Sequence, residues 1–383
     1  MVMDKTYLQD LINEAQSRGG GLIINQNNKP AVVVMTVDKY NAIISNNMPQ
    51  TQTQGEDFHS HNNKQILVTG GAGYIGSHTC RELLKAGYNV VVIDNLSTGK
   101  RQNIPEGVKF IEGDIADSKL LKDILTSESI YAVLHFAASI EVEESVREPG
   151  KYLQNNAINT ANLLAAMAEC NVKHFIFSST AAVYGDQAVV PIPETAKGKP
   201  NNPYGYAKFV AEKLIKYHAQ FMGLKAVIFR YFNACGCDFD GTIVPTHHSH
   251  LIPIVMEAAA GVRPALKVYG KDYATPDGTC VRDYVHVLDI ARAHVVALEK
   301  IDGIETFEVY NIGTGKGESV LDVVNAASQI LDKKIPLDFQ PRRPGDAVTT
   351  VADNSKIAEA WGFKPEFSDL ETIIKTTWRQ MYH

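Results

Sequence analysis

A chain of 383 residues is long enough to bury a large core, and 45% hydrophobic with 21% charged side chains is the balance of an ordinary folded protein. A net charge of −6 supplies no basic field for a dedicated nucleic-acid binder. No apolar run reaches the ~18 residues of a membrane span, the start lacks a charged-then-apolar signal pattern, and five scattered cysteines (Cys80, Cys170, Cys235, Cys237, Cys280) read as reduced thiols of a cytoplasmic protein.

Residues 1–45 form the first unit. Tyr7, Leu8, Leu11, Ile12 and Ala15 predict a helix over Thr6–Ser17, which Gly19-Gly20-Gly21 ends. Leu22–Asn25 and Ala31–Thr36 are short β-rich runs joined, hairpin-like, through Asn27-Asn28-Lys29-Pro30, and Val37–Ser45 reads as a second helix. The run Lys29-Pro30-Ala31-Val32-Val33-Val34-Met35, followed by Asp38-Lys39-Tyr40, resembles the N-terminal part of the Phd/YefM antitoxin family. That resemblance implies dimerisation and binding of DNA or a toxin; the residues alone imply a dimerising or solubilising appendage. Residues 46–63 are polar and nearly free of apolar side chains, which makes them a linker.

From Lys64 the rhythm changes. Apolar runs at Gln65–Thr69, Val90–Ile93, Lys109–Glu112, Ala132–Phe136, His174–Ser178 and Lys225–Phe229 alternate with helical spacing at Ile75–Ala86, Leu120–Thr126, Asn159–Ala168 and Ala207–Phe221. Such alternation predicts an α/β fold: a doubly wound, mostly parallel Rossmann sheet over 64–232, covered on both faces. A smaller mixed α/β lobe is expected over 233–383, with strands near Lys267–Tyr269 and Asn311–Ile312 and helices near Leu321–Leu331 and Leu370–Tyr382. The site belongs in the cleft between them.

Gly70-Gly71-Ala72-Gly73-Tyr74-Ile75-Gly76 follows the first strand of this sheet and opens its first helix. A tight turn, close approach of the backbone to a pyrophosphate and close helix–sheet packing each require glycine, here Gly70, Gly73 and Gly76. The helix N-terminus then directs free N–H groups at the phosphates. Asp94 ends the second strand, 18 residues after Gly76. A carboxylate there accepts from both ribose hydroxyls and repels a 2′-phosphate, which selects NAD over NADP. Lys100 and Arg101 offer the opposite preference but fit a solvated loop. Asp114-Ile115, after the third strand, is placed to touch the adenine or to serve as an ordinary loop.

Tyr204 and Lys208 are four apart and share one helix face. A phenol is a poor base at neutral pH, and a nearby ammonium favours its ionised form. The pair suits removal of a hydroxyl proton while hydride leaves the same carbon. The fifth strand of the sheet runs into Ser178-Ser179-Thr180-Ala181-Ala182, placing a hydroxyl at the carboxyl end of a strand, where open α/β sheets bind ligands.

Gly70–Gly76, Asp94-Asn95-Leu96-Ser97-Thr98-Gly99, Thr180, Tyr204-x-x-x-Lys208 and Arg230-Tyr231-Phe232-Asn233 together resemble the extended short-chain dehydrogenase/reductase superfamily. Val281-Arg282-Asp283-Tyr284-Val285-His286-Val287 and Pro341-Arg342-Arg343-Pro344-Gly345-Asp346 narrow the resemblance to the UDP-glucose 4-epimerase family, from about Lys64 to the C-terminus. The resemblance implies that Tyr204 takes the proton of the sugar 4-hydroxyl, that Lys208 lowers the Tyr204 pKa and bonds the nicotinamide ribose, and that Thr180 orients the 4-oxygen. It implies a tightly held NAD that borrows and returns the hydride of a 4-keto sugar. Tyr74, Ile75, Asp94–Gly99, Asp114, Ile115, Phe136, Ala137, Ala138, Asn155 and Phe232 become NAD contacts. Asn233, His250, Leu251, Lys267, Val268, Tyr269, Arg282, Arg343 and Asp346 become contacts to the UDP-sugar. A homodimer through Asn159–Ala168 and Ala207–Phe221 is also implied.

Four positions depart from the commonest family pattern: Thr180 for Ser, Ile140 for a Lys near the cofactor, His250 for Asn, and Thr350 where some members carry a bulky Tyr. A small residue at 350 leaves room for an N-acetyl group, so N-acetylated UDP-sugars are expected substrates too. A 4,6-dehydratase or decarboxylase needs a titratable pair after the threonine, and this chain has Ala181-Ala182. A non-enzymatic nucleotide sensor with a DNA-binding head would need no Tyr–Lys pair. Cys235-Gly236-Cys237 and His247-His248-Ser249-His250 lack the spacing of known zinc sites, so no metal is expected.

Overall fold

The computed structural model describes residues 21–26, 29–35, 64–243, 250–343 and 346–382. The chain divides into two units, residues 1–59 and 60–383. In the first, β1 (Gly21–Gln26) and β2 (Lys29–Met35) pair antiparallel, with Gly21 opposite Met35 and Gln26 opposite Lys29. The expected hairpin is therefore present, with a tighter connection, since Lys29 and Pro30 lie within β2. Pro30 lacks an N–H for the ladder, and the register shifts beside its partner, between Ile24 and Asn25. The helices expected at Thr6–Ser17 and Val37–Ser45 and the linker at 46–63 lie outside the described residues.

The second unit is built on seven parallel strands: β3 (Gln65–Thr69), β4 (Asn89–Asp94), β5 (Lys109–Glu112), β6 (Ile130–His135), β7 (His174–Thr180), β8 (Lys225–Tyr231) and, later in the chain, β13 (Phe307–Ile312). Their order is β13-β8-β7-β6-β3-β4-β5. The chain runs outward from β3 to β5, then returns to β6 on the other side of β3. The crevice where a doubly wound sheet takes its ligand thus opens at the carboxyl ends of β3 and β6. Helices interleave: α1 (Tyr74–Lys85), α2 (Ser118–Ser127), α3 (Val142–Arg147), α4 (Pro149–Leu153), α5 (Asn159–Glu169), α6 (Pro203–Met222), α7 (Leu251–Ala259), α8 (Val287–Lys300), α9 (Val320–Leu331), α10 (Ser355–Trp361) and α11 (Leu370–Tyr382).

Successive strand residues are apolar because both faces are covered. Ile66, Val68, Val92, Leu134 and Phe229 pack against Cys80 and Leu83 of α1 and Ile290 and Ala293 of α8. Leu67, Val91, Val133 and Phe175 face Leu121 and Ile124 of α2, Leu163 and Met167 of α5 and Ala211 and Ile215 of α6. Among the described residues, no helix is long and apolar enough to cross a membrane.

The smaller lobe holds β9 (Asn233–Cys235) paired with β12 (Tyr284–His286), β10 (Leu266–Tyr269) paired with β15 (Leu337–Gln340), and β11 (Val281–Arg282) flanked by β14 (Glu318–Ser319) and β16 (Thr349–Thr350). Its core joins α7, α9 and α11 through Val255, Met256, Val323, Ala327, Ile373 and Ile374. One expectation is corrected. Asn311–Ile312 belongs to the central sheet, where Asn311 lies opposite Arg230 and Ile312 opposite Tyr231. The cause is topological: α8 covers one face of the sheet, and the strand after such a crossover returns parallel to its neighbour.

Candidate active site

Three glycines shape the turn after β3, and each answers a different contact. Gly70 has φ +74°, and a Cβ there would lie 2.6 Å from the backbone nitrogen of Ala137. A Cβ on Gly76 would lie 2.3 Å from the Gly70 carbonyl oxygen. Those two are required by the protein's own packing. Gly73 is different: a Cβ there meets only the Gly70 carbonyl, at 3.2 Å, so its missing side chain leaves open space over the start of α1. Gly73 is also the N-cap and offers no side chain to the first N–H groups of the helix. The arrangement can cradle a phosphate.

Asp94 closes the cradle on one side. It is buried; its Oδ2 accepts the Ala72 N–H at 3.0 Å and its Oδ1 the Leu96 N–H at 2.8 Å. Burial pushes its carboxyl pKa up against the pull of these two bonds. Each oxygen retains a lone pair, which is the acceptor set a ribose diol requires. The loop beyond is fixed locally. Leu96 takes φ 56°, Ser97 N–H donates to Asn95 Oδ1 at 3.0 Å, and Asn95 Nδ2 donates to Asp114 Oδ2 at 2.8 Å. A Cβ on Gly99 would lie 2.8 Å from Ala72 Cβ, so Asp94–Gly99 and Asp114 form one rim together with Thr98. Ile115 is buried in the core, which commits its side chain to packing.

Across the crevice, Phe136 and Ala137 both donate their N–H to the Thr69 carbonyl, and the Phe136 ring packs on His294 at 4.8 Å. Ala138 follows at half-burial. Asn155 lies in a single π-helical turn, Gln154–Ile158, and its Nδ2 donates to Ser139 Oγ at 3.1 Å. Tyr74 donates its hydroxyl to the Gly236 carbonyl, while Ile75 packs against the core.

The reacting groups lie at the carboxyl end of β7. Helix α6 starts where Asn202 caps the Gly205 N–H at 2.8 Å with Pro203 in the first turn, and Gly223 ends it at φ 70°. Helical spacing then stacks Tyr204, Lys208 and Glu212 on one face. Tyr204 meets the Thr180 hydroxyl; burial pushes the phenol up, and the Thr180 contact pulls it down. The Tyr152 ring stands edge-on to Tyr204 at 6.4 Å. Lys208 is only 2% exposed. Its Nζ donates to the Ser178 carbonyl at 2.8 Å and lies 4.7 Å over the Phe177 ring. Burial lowers its pKa to about 7, with Glu212 opposing. Thr180 thus adds a pull on the phenol that the sequence did not point to.

Sequence reasoning missed Glu212 and the use made of Arg230. Glu212 is fully buried; it accepts Ser179 Oγ at 2.7 Å, Arg230 Nε at 2.9 Å and Arg230 Nη2 at 2.7 Å. The signal was available: Glu212 continues the four-residue spacing of Tyr204 and Lys208.

In the lobe, Arg282, Arg343, Asp346, Tyr269 and Thr350 come together. Arg343 Nε donates to Asp346 Oδ2 at 3.0 Å, Arg282 Nη2 lies 3.8 Å from Asp346 Oδ1, and the Arg343 guanidinium covers the Tyr269 ring at 4.7 Å. Thr350 is opposite Arg282 in the β11–β16 pair. Asp283 buttresses this strand by accepting from Thr314, Gly315 and Ala352. Lys267 is exposed, whereas Val268 is buried in the lobe core, so its side chain cannot face a ligand. Leu251 opens α7 and packs on the same core; His250 is its N-cap, within electrostatic reach of Glu141. Asn233 is exposed on β9, and Phe232 is buried with Val183, Tyr184, Ile192 and Ala352.

Cys235-Gly236-Cys237 is held by α1. His78 Nε2 accepts the Asp238 N–H at 3.0 Å, and Arg81 Nη1 donates to Asp238 Oδ2 at 2.7 Å. His78, Cys237 and Asp238 could group around an ion, but the guanidinium already neutralises that carboxylate.

A glycine turn able to cradle a phosphate at the switch point of a parallel sheet, a carboxylate able to accept from a ribose and a buried Tyr–Lys pair define a dinucleotide-dependent enzyme of the Rossmann class. The sequence model of the NAD dependent epimerase/dehydratase family matches residues 66–313. The chain is 45% identical to UDP-glucose 4-epimerase from Lacticaseibacillus casei over 315 residues, 82% of this chain and 95% of that one. The crystal structure of UDP-glucose 4-epimerase from Brucella ovis in complex with NAD superposes with a TM-score of 0.80 at 44% identity, covering 82% of this chain and 97% of that one. The Bifidobacterium longum enzyme in complex with NAD+ and UDP gives 0.77 at 38%, covering 83% and 98%. The chain belongs to the UDP-glucose 4-epimerase family. The matched region begins after the first unit, and the resemblance of that unit to antitoxins rests on its sequence alone.

Proposed function

We propose that this protein interconverts UDP-galactose and UDP-glucose by NAD-dependent inversion at C4. The observation that carries this reading is the Tyr204 phenol meeting Thr180 at the end of β7, with Lys208 behind it and only Ala181-Ala182 beyond. A hydroxyl proton can be removed and returned there, and no titratable side chain in that run can expel water.

The residues present fit NAD. Gly73 leaves the pyrophosphate its approach, the start of α1 supplies N–H donors, and Asp94 has the lone pairs for both ribose hydroxyls. When bound, the nicotinamide supplies the acceptor and donor of the C4 hydride. Tyr204 takes the proton from the 4-hydroxyl and gives it back, and Thr180 holds the reacting oxygen in line with the phenol. Lys208 keeps positive charge beneath the ionising pair. The outer N–H groups of Arg282 and Arg343 engage the diphosphate, the geometry in which guanidinium is most effective. Tyr269, one ring face of which Arg343 covers, has the other for the uracil. Purified protein incubated with UDP-galactose and no added NAD tests the reading: UDP-glucose is the expected product, and a different product or none refutes it.

Two finer readings follow from particular side chains. Thr350 is small and borders Arg282, so N-acetylated UDP-sugars fit the same pocket. Val146 of α3 (63% exposed), Leu153 of α4, Ile158 of the π-helical turn, and Tyr217 and Phe221 (65% exposed) of α6 are exposed, and burying them in a homodimer accounts for that exposure.

A further inference from the structure

Beneath the reacting pair lies a second charged layer. Glu212 is one helical turn below Lys208 on α6 and has no solvent exposure. Its carboxylate accepts three hydrogen bonds, one from Ser179 on β7 and a bidentate pair from Arg230 on β8. Arg230 is held in turn by the Glu194 carbonyl and lies 4.7 Å over the Tyr184 ring. Glu212 is therefore fixed from both neighbouring strands and cannot swing away.

From these contacts we infer that Glu212 is a positioning residue of the reaction: its charge keeps Lys208 protonated, and so sets the upper pH at which Tyr204 can act as the base. The inference rests on the Tyr204–Lys208 reading given above. Among the described residues, Lys208 Nζ has one hydrogen bond, to the Ser178 carbonyl, and one ring contact, to Phe177. Both are neutral. His135 on β6 also faces it, but that imidazole is buried against Thr69 and Thr160 and pushed down to about 3 by burial, with Lys208 adding to the shift, so it carries no charge at neutral pH. Tyr204 is neutral until it reacts. Among the described residues, the acid acting on Lys208 is Glu212, buried one helical turn away on the same face of α6, and it opposes the burial that lowers the Lys208 pKa to about 7. Arg230 is held charged by Glu212: burial works against the guanidinium charge, and the Glu212 contact outweighs it. Lys216 Nζ, 3.9 Å from Glu212 on the same helix, is a weaker third charge.

The two titrations are coupled. The pair can lose its first proton from the phenol, leaving phenolate and ammonium, or from the lysine, leaving two neutral groups. A carboxylate below the lysine favours the first, productive form. Without it, the lysine surrenders its proton first.

The test uses the holoenzyme. Glu212→Gln preserves shape and removes the charge. Because it strands a buried guanidinium, Glu212→Gln/Arg230→Met is prepared beside it, removing both charges. In Glu212→Gln the alkaline limb of kcat/KM is expected to move to lower pH by about 1–3 units, the range for an opposite charge at close range, and by less in the double variant, which also removes the opposing Arg230 charge; KM for UDP-galactose should stay near its parental value. Ultraviolet titration against a Tyr204→Phe baseline is expected to show less tyrosinate at the first proton loss. Glu212→Asp keeps the charge and should keep the limb. A limb that stays in place in folded Glu212→Gln, or one that moves as far in Glu212→Asp, overturns the inference. Parental epimerisation, and its loss in Tyr204→Phe, report separately on the Tyr204–Lys208 reading.

Discussion

Asp94 and Ala72 are joined by a 3.0 Å hydrogen bond from the Ala72 N–H to the carboxylate, which ties the end of the second strand of the sheet to the middle of the glycine turn. The carboxylate proposed to face a ribose is thus also a brace for the glycine turn. Its burial already raises its pKa, and two hydroxyl donors would relieve that cost.

Replacing Asp94 by Asn should therefore loosen NAD. Hydrogen bonds to a charged group contribute about 1.5–3 kcal/mol each, so a loss of at least tenfold in NAD affinity is expected. The nucleotide released by denaturing purified protein, measured per subunit, checks it. Full retention would show that Asp94 does not carry the ribose.

Tyr204→Phe removes the proton acceptor and leaves the ring that packs against Tyr152. Epimerisation should fall by about 10²–10⁴-fold, the usual contribution of a general base, with bound NAD unchanged. Lys208→Met should lose activity comparably, and its residual activity should lack the parental alkaline limb, because the group that titrates to about 7 is gone. Activity assays across pH 5–10, paired with NAD content, decide both.

Much of this site could be read from residue order because each part is local. The Gly70–Gly76 turn, Asp94 at a strand end and the Tyr204–Lys208 spacing depend on one strand–turn–helix or one helix face. What escaped depends on contacts between distant segments. Glu212 becomes a functional residue only because β7 and β8 bring Ser179 and Arg230 to it. Asn311–Ile312 looks like part of the later lobe in linear order, yet it pairs with β8. The i,i+4 spacing puts Lys208 beside Tyr204, but the anchor of its ammonium, the Ser178 carbonyl, lies on another element and is not legible in that spacing.

Gly76→Ala separates packing from ligand contact. Its Cβ would stand 2.3 Å from the Gly70 carbonyl, a backbone atom that cannot yield cheaply. Overpacking of this kind costs about 1–3 kcal/mol, and displacement of the turn should release NAD as well. Gly150→Ala, where an added Cβ meets nothing within 4 Å, is the control and should leave both properties intact. Denaturant midpoints and NAD content measure the two effects.

Thr350→Tyr should narrow the substrate range. If the small side chain beside Arg282 accommodates an N-acetyl group, the larger one should cut turnover of UDP-N-acetylglucosamine by at least tenfold and spare UDP-galactose. A coupled assay on both substrates checks it. No turnover of the N-acetylated sugar by the parent would remove the reading at once.

Acid stability should depend on His294. This imidazole is fully buried between the sheet and α8; Nδ1 donates to the Ile290 carbonyl at 2.8 Å, so Nε2 is left to accept from the Tyr231 hydroxyl at 2.8 Å. Burial lowers its pKa to about 4, with the Ile290 bond opposing. An unfolded histidine titrates near 6.5. Between about 4 and 6.5 the unfolded chain therefore binds the extra proton, and stability falls as pH falls through that window and is complete above it. The contribution at stake is on the order of 3 kcal/mol. His294→Gln removes the titrating group and can retain an acceptor for Tyr231. Its denaturant midpoint should be lower than the parent's at pH 7, but the drop between pH 7 and pH 5 should be smaller. An equal drop in both proteins would assign the acid sensitivity to the other buried histidines, His78, His135 and His286.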